Sequence, residues 1–139
     1  MPPPPVLVFD IESIPDTAGL RILRGHDAAL DDRAVYDAEI ARRQEQGKND
    51  FMPLHLQRVL VISCVFRSAD GLHVRSLVDR ETDGRSQEGR LIQRFFQMIE
   101  RHVPQLVSWN GGGFDLPVLH YRALRHGVEI GRASCRERV

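Results

Sequence analysis

The run Val6-Leu7-Val8-Phe9 is apolar at every position and passes straight into Asp10-Ile11-Glu12 before Pro15 ends it. Continuous apolar character over so few residues reads as a strand, and a strand without polar alternation predicts a central position covered on both faces. Side chains at i and i+2 of a strand point the same way, so Asp10 and Glu12 project together while Ile11 faces the opposite layer. Two residues span about 6.6 Å of strand. At an effective dielectric of ~20, two like charges at that separation repel by roughly 2.5 kcal/mol. Such a pair can raise one carboxyl pKa or collect a cation, and hard oxygen donors favour Mg²⁺ or Mn²⁺. Against this stands the plainer reading, one acid solvated at a strand end and the other capping a turn.

The rest of the chain supplies alternating elements. Pro2 to Pro5 form an extended lead-in. Residues 17 to about 48 are polar, with weak apolar periodicity, and predict one or two surface helices inserted after the first strand. Phe51-Met52-Pro53-Leu54-His55 reads as a loop returning to the core, followed by a β-branched strand over Val59–Phe66. Ala69-Asp70-Gly71 turns the chain into a hairpin partner, Leu72–Val78. Leu91, Ile92, Phe95, Phe96 and Ile99 recur at helical spacing between Gln87 and His102. A short strand, Leu106–Trp109, leads into Asn110 and three glycines, and a last helix runs from about Pro117 to a cap at Gly127. A hairpin leading into α and β units predicts a mixed α/β sheet.

Composition narrows the class. In 139 residues there is room for one core, and 19 basic against 19 acidic residues leave no net charge. That is no electrostatic signature of strong nucleic-acid binding, though it leaves room for a local basic groove. Two cysteines, Cys64 and Cys135, imply no disulfide framework. No apolar run approaches a membrane span, and MPPPP lacks the features of a signal peptide, so a cytoplasmic location is expected.

The second segment with chemistry in it is Ser108-Trp109-Asn110-Gly111-Gly112-Gly113-Phe114-Asp115-Leu116-Pro117. A short strand reaches Asn110, glycines allow a tight turn, and Asp115 arrives at a helix start. Read singly, Asp115 is a helix cap, Phe114 and Trp109 are packing, and the glycines are a weak phosphate-cradle signal with no P-loop or dinucleotide pattern around them. His55 reads as a satisfied histidine, Cys64 as inert core, and Arg90, Arg94 and Arg101 as the solvated side of their helix.

Taken together, VFDIES and NGGGFD resemble the first two motifs of the DEDD 3′–5′ exonuclease superfamily. Within it, the chain is most similar to the predicted exonucleases related to the proofreading domain of family B DNA polymerases, over most of residues 6 to 127. The resemblance implies a ribonuclease H-like mixed sheet flanked by helices. It also implies a two-metal-ion hydrolysis of phosphodiester bonds at single-stranded DNA 3′ ends. Asp10, Glu12 and Asp115 would be the catalytic metal ligands for two divalent cations, Mg²⁺ or Mn²⁺. Ser13, Asn110 and Phe114 would line the path of the strand. An exoribonuclease of the same superfamily, or a non-catalytic nucleic-acid-binding module on the same fold, are the alternatives.

The family's third motif, a Tyr or His upstream of a fourth Asp on a last helix, has no counterpart, because no Asp follows Asp115. Residues 129–139, EIGRASCRERV, back-translate to a string resembling a sequencing adapter read in frame. The domain is therefore expected to span residues 1–128, to lack its last strand and helix, and to carry a non-native tail in which Cys135 has no function. Such a chain is expected to be a weak or inactive nuclease. It should also expose a sheet edge and apolar surface that favour aggregation.

Overall fold

The computed structural model describes residues 1–131, and the expected tail residues 132–139, with Cys135, lie outside the described residues. The elements follow the expected order: β1 (Val6–Pro15), α1 (Thr17–Arg24), α2 (Asp32–Glu45), β2 (Gln57–Ser68), β3 (Gly71–Val78), α3 (Glu88–His102), β4 (Gln105–Val107) and α4 (Leu116–His126). A 3₁₀ turn at Leu54–Leu56 precedes β2, and a π-helical turn at Gly111–Asp115 precedes α4. The sheet order is β3-β2-β1-β4. The β1–β2 and β2–β3 pairs are antiparallel, and β1–β4 is parallel. This four-stranded mixed sheet flanked by helices has the ribonuclease H-like arrangement. The short β4 is its edge, as expected.

Leu7, Phe9 and Ile11 of β1 alternate into the core with Ile62 and Cys64 of β2. There they meet the apolar stripe of α3 and Leu116, Leu119 and Ala123 of α4. Phe9 and Phe95 pack with ring centroids 5.0 Å apart. Burial pushes the Cys64 thiol up to about 11, which keeps it protonated and inert. The insert makes its own small cluster from Leu20, Val35, Met52 and Leu56. So few buried positions explain why its apolar periodicity is faint in the sequence. Within the described part of the expected tail, Ile130 packs partly buried against the main core.

One expectation is corrected. β1 is not covered on both faces by the described residues: Val8 is 43% exposed while its neighbours Leu7 and Phe9 are buried. The core of α3 and α4 side chains meets β1 on the Leu7, Phe9 and Ile11 side, and an apolar Val8 on the other side hides the alternation from a sequence reading.

A buried ionic knot ties the layers together. Arg122 of α4 is 2% exposed. Its Nε and Nη2 donate to the two carboxylate oxygens of Glu88 at 2.8 and 2.5 Å. Its Nη1 donates to Asp16 Oδ2 at 2.7 Å and to the His55 carbonyl at 3.1 Å. Glu88 also accepts the Val59 backbone N–H at 2.7 Å and contacts His126 Nε2 at 2.6 Å. Burial pushes the Glu88 carboxyl up, but the bonds from His126 and Arg122 outweigh it and hold the pKa below the usual range. Asp16 simultaneously caps α1, accepting the Gly19 N–H at 2.9 Å. A Cβ at Gly19 would sit 2.5 Å from Asp16 Oδ2, so this close approach requires glycine.

Two outcomes follow. Arg122→Ala strands two buried carboxylates and should cost about 3–5 kcal/mol in urea unfolding followed by circular dichroism; a loss below about 1 kcal/mol contradicts the knot's role. Glu39 is bonded by Arg42, and against the opposing effect of burial this and Arg24 lower its pKa from 4.5 to about 2. Its contribution to stability is complete above the ordinary carboxylate range and disappears as pH falls through about 2. Glu39→Gln should flatten that part of the acid-unfolding curve.

Candidate active site

β1 presents its acids as the two-residue period requires. Asp10 and Glu12 are exposed and Ile11 between them is buried. Directly after Glu12 the pairing with β2 slips: Glu12 faces Val61 but Ser13 faces Val59, which leaves Leu60 as an extra residue on β2. A bulge of this kind sharpens the local twist and re-aims the chain beside it. Beyond the bulge, Ser13 Oγ donates to Gln57 Oε1 at 3.0 Å, and Gln57 Nε2 donates to the Met52 carbonyl at 3.0 Å. The Ser13 side chain is thus committed to the fold. Gln57 was not singled out in the sequence, where nothing distinguishes it from any strand glutamine.

The second segment arrives from β4. Val107 pairs with Val8 in the parallel register, and two residues further on come Trp109, past the end of β4, and Asp10 on β1. Trp109 is 101% exposed, which corrects the expectation that it packs. β4 is a three-residue edge strand, and the chain leaves it before the indole reaches the core. The Asn110 carbonyl accepts the N–H groups of Gly113 and Phe114 at 3.1 and 2.9 Å, closing the turn. A Cβ on Gly113 would lie 2.6 Å from Asn110 Oδ1, so any side chain there displaces the Asn110 amide.

Asp115 is buried and stands at the start of α4, yet its side chain makes no capping bond. Ser108 Oγ donates to Asp115 Oδ2 at 3.1 Å instead. The helix-cap reading is therefore set aside, and Ser108, which opens the segment but had no role assigned from the sequence, joins the site. Phe114 is partly buried against the core. Its ring lies 5.9 Å from that of Phe51 at an interplanar angle of 56°. Phe51 is 55% exposed and comes from the segment that ends the insert. The insert thus delivers a second aromatic ring beside Phe114, which a linear motif could not reveal.

The donors present are carboxylate oxygens, the chemistry that suits a hard divalent cation. Their arrangement is a half-site: Asp10 and Glu12 share one open face, and Asp115 is engaged by Ser108. Among the described residues, no group of three or more His, Cys, Asp or Glu side chains is placed to hold a metal ion. None of the described helices is long and apolar enough to cross a membrane.

No curated protein matches the chain. One family model does match, over residues 49–137, so Asn110, Phe114 and Asp115 lie inside the match while Asp10, Glu12 and Ser13 precede it. That match covers well over half of the chain, which therefore belongs to the family of predicted 3′–5′ exonucleases related to the exonuclease domain of PolB.

Proposed function

We propose that this chain carries the catalytic half of a 3′–5′ exonuclease acting on the ends of single-stranded DNA, in the cytoplasm. The observation that carries the reading is the placement of Asp10 and Glu12. They are two acids on one open strand face beside a bulge, and the chain that leads to Asp115 leaves the neighbouring parallel strand. Asp10 and Glu12 would hold the divalent cations, Mg²⁺ or Mn²⁺, with Asp115 joining them when its bond to Ser108 opens. Bound there, divalent cations would supply an activated water and offset negative charge on the phosphodiester oxygens, with Asp10 and Glu12 holding them.

The other side chains bind and orient. Phe114 and Phe51 offer ring faces on which a terminal base can stack without regard to sequence. Asn110, held at the mouth of the turn by its own backbone bonds, can meet the sugar or base edge. The preference for DNA rests on the likeness to the PolB exonuclease domain. An exoribonuclease uses the same residues. A non-catalytic nucleic-acid-binding module is favoured by one observation, the engagement of Asp115 by Ser108.

Metal binding and hydrolysis separate these readings. Mn²⁺ should raise the melting temperature of the wild-type chain, and Asp10→Asn should abolish the increase. A 5′-labelled single strand should shorten slowly from its 3′ end with Mn²⁺. Asp10→Asn should lower that rate by about 100-fold or more, whereas Phe51→Ala should raise KM and leave kcat nearly unchanged. Ser108→Ala, which releases Asp115, should tighten Mn²⁺ binding. The absence of any Mn²⁺-dependent shift, or shortening that persists in EDTA or in Asp10→Asn, overturns the proposal.

A further inference from the structure

The arginines of this neutral chain differ in how they are paired. Arg21 and Arg24 of α1 and Arg122 and Arg125 of α4 are each bonded to a carboxylate. By contrast, Arg75 on β3, Arg80 just after it, and Arg90, Arg94 and Arg101 on α3 are all exposed. Among the described residues none of these five forms an ion pair.

These five line two adjoining grooves. One, ≈580 Å³, runs between the β2–β3 hairpin and α3, with Arg75, Arg94, Arg101, His73 and His102 in its walls and Asp70 as the single acid among the described residues. The other, ≈660 Å³, is lined by Arg75, Arg80, Arg90 and Arg94 and, among the described residues, by no acidic one. Arg75 and Arg94 belong to both, so the basic surface is continuous.

The fold explains how this surface arises but not why it is basic. Arg75 pairs with Cys64 in the hairpin register, which turns it to the face that α3 covers. Positions 90, 94, 97 and 101 form one stripe along α3, and Arg94, Gln97 and Arg101 of that stripe border the first groove. Charges on an edge strand discourage sheet-to-sheet aggregation, but that purpose accounts only for β3 and not for the arginines of α3. Like charges held this close destabilise the folded chain unless something anionic neutralises them. Along the helix Arg90 to Arg94 spans about 6 Å and Arg94 to Arg101 about 10.5 Å. Charge spread over that length matches an extended polyanion better than one small anion.

We propose that the groove between β3 and α3 binds the sugar–phosphate backbone of nucleic acid, at the far edge of the sheet from β4. The choice of nucleic acid as the polyanion rests on the exonuclease reading, whereas the basic groove itself does not. The chain would then grip its polymer twice, by stacking near Asp115 and by phosphate contacts here. Long strands would bind more tightly than short ones.

The test is fluorescence anisotropy with a labelled oligothymidylate in EDTA, using the full chain carrying Asp10→Ala so that no hydrolysis intervenes. Binding should weaken as salt rises. Arg75→Ala with Arg94→Ala should raise Kd about tenfold or more at low salt and lower the log Kd–log salt slope by about 1.4. Arg90→Glu with Arg101→Glu is an independent second pair, and Arg33→Ala on α2 is the control that should change nothing. Urea midpoints close to that of the parent show that the variants fold. Unchanged Kd and slope in both pairs overturn the proposal. So does displacement by polyglutamate as effective as by unlabelled oligonucleotide of equal charge, which would assign the groove to an acidic protein. Loss of Mn²⁺-dependent hydrolysis with salt-dependent binding retained removes the exonuclease and leaves this groove standing, and the reverse result removes the groove alone.

Discussion

The guanidinium of Arg122 is the point on which the architecture turns. One planar fork meets Glu88 at the start of α3, Asp16 at the end of β1, and the carbonyl of His55 before β2. It thereby fixes the rotation and depth of α4, the helix that Asp115 begins. Removing these charges from water is expensive, and a fully apolar substitute could be as stable. What an ionic fork supplies that leucines cannot is directional geometry: its five N–H donors accept only one arrangement of partners. The knot therefore acts on the candidate site at a distance, by deciding where α4 stands relative to the acidic strand.

Charge in this molecule is partitioned, and the zero total conceals it. The acids of β1 face outward on the side of the sheet away from α3 and α4. Five of the unpaired arginines, Arg75, Arg80, Arg90, Arg94 and Arg101, gather where α3 meets the far edge strand. The same-sign field of each region is local, since the Debye length at physiological salt is about 8 Å. A polymer with a phosphate backbone and exposed bases suits both regions by different chemistry. In the proposed reading a cation would neutralise the carboxylates at one, and phosphates would neutralise the arginines at the other.

What could be read in advance was whatever depends on short-range periodicity. The stripe Leu91 to Ile99 marked α3, Gly127 marked the end of α4 with a left-handed cap, and the D-x-E spacing put Asp10 and Glu12 on one face. What could not be read depends on long-range juxtaposition. Asp16 and Arg122 are 106 residues apart, and each looks like an ordinary surface charge in its own segment. The bulge at Leu60 leaves no compositional trace. Arg90, Arg94 and Arg101 were recognisable as one polar side of a helix, but only the register of β3 shows that Arg75 lies across from them. Val8 and Trp109 misled for the opposite reason: apolar residues imply burial, yet both are exposed, Val8 on the sheet face opposite the core and Trp109 past the end of β4.

Trp109 carries a practical consequence. It is the chain's single tryptophan, and its indole is already fully in water in the folded protein. Its emission should therefore change little when the domain unfolds, so tryptophan fluorescence would report a stable protein as featureless. The same indole, two residues past the strand pairing that brings β4 alongside β1, becomes an optical sensor for anything that settles there. It is insensitive to folding and responsive to occupancy.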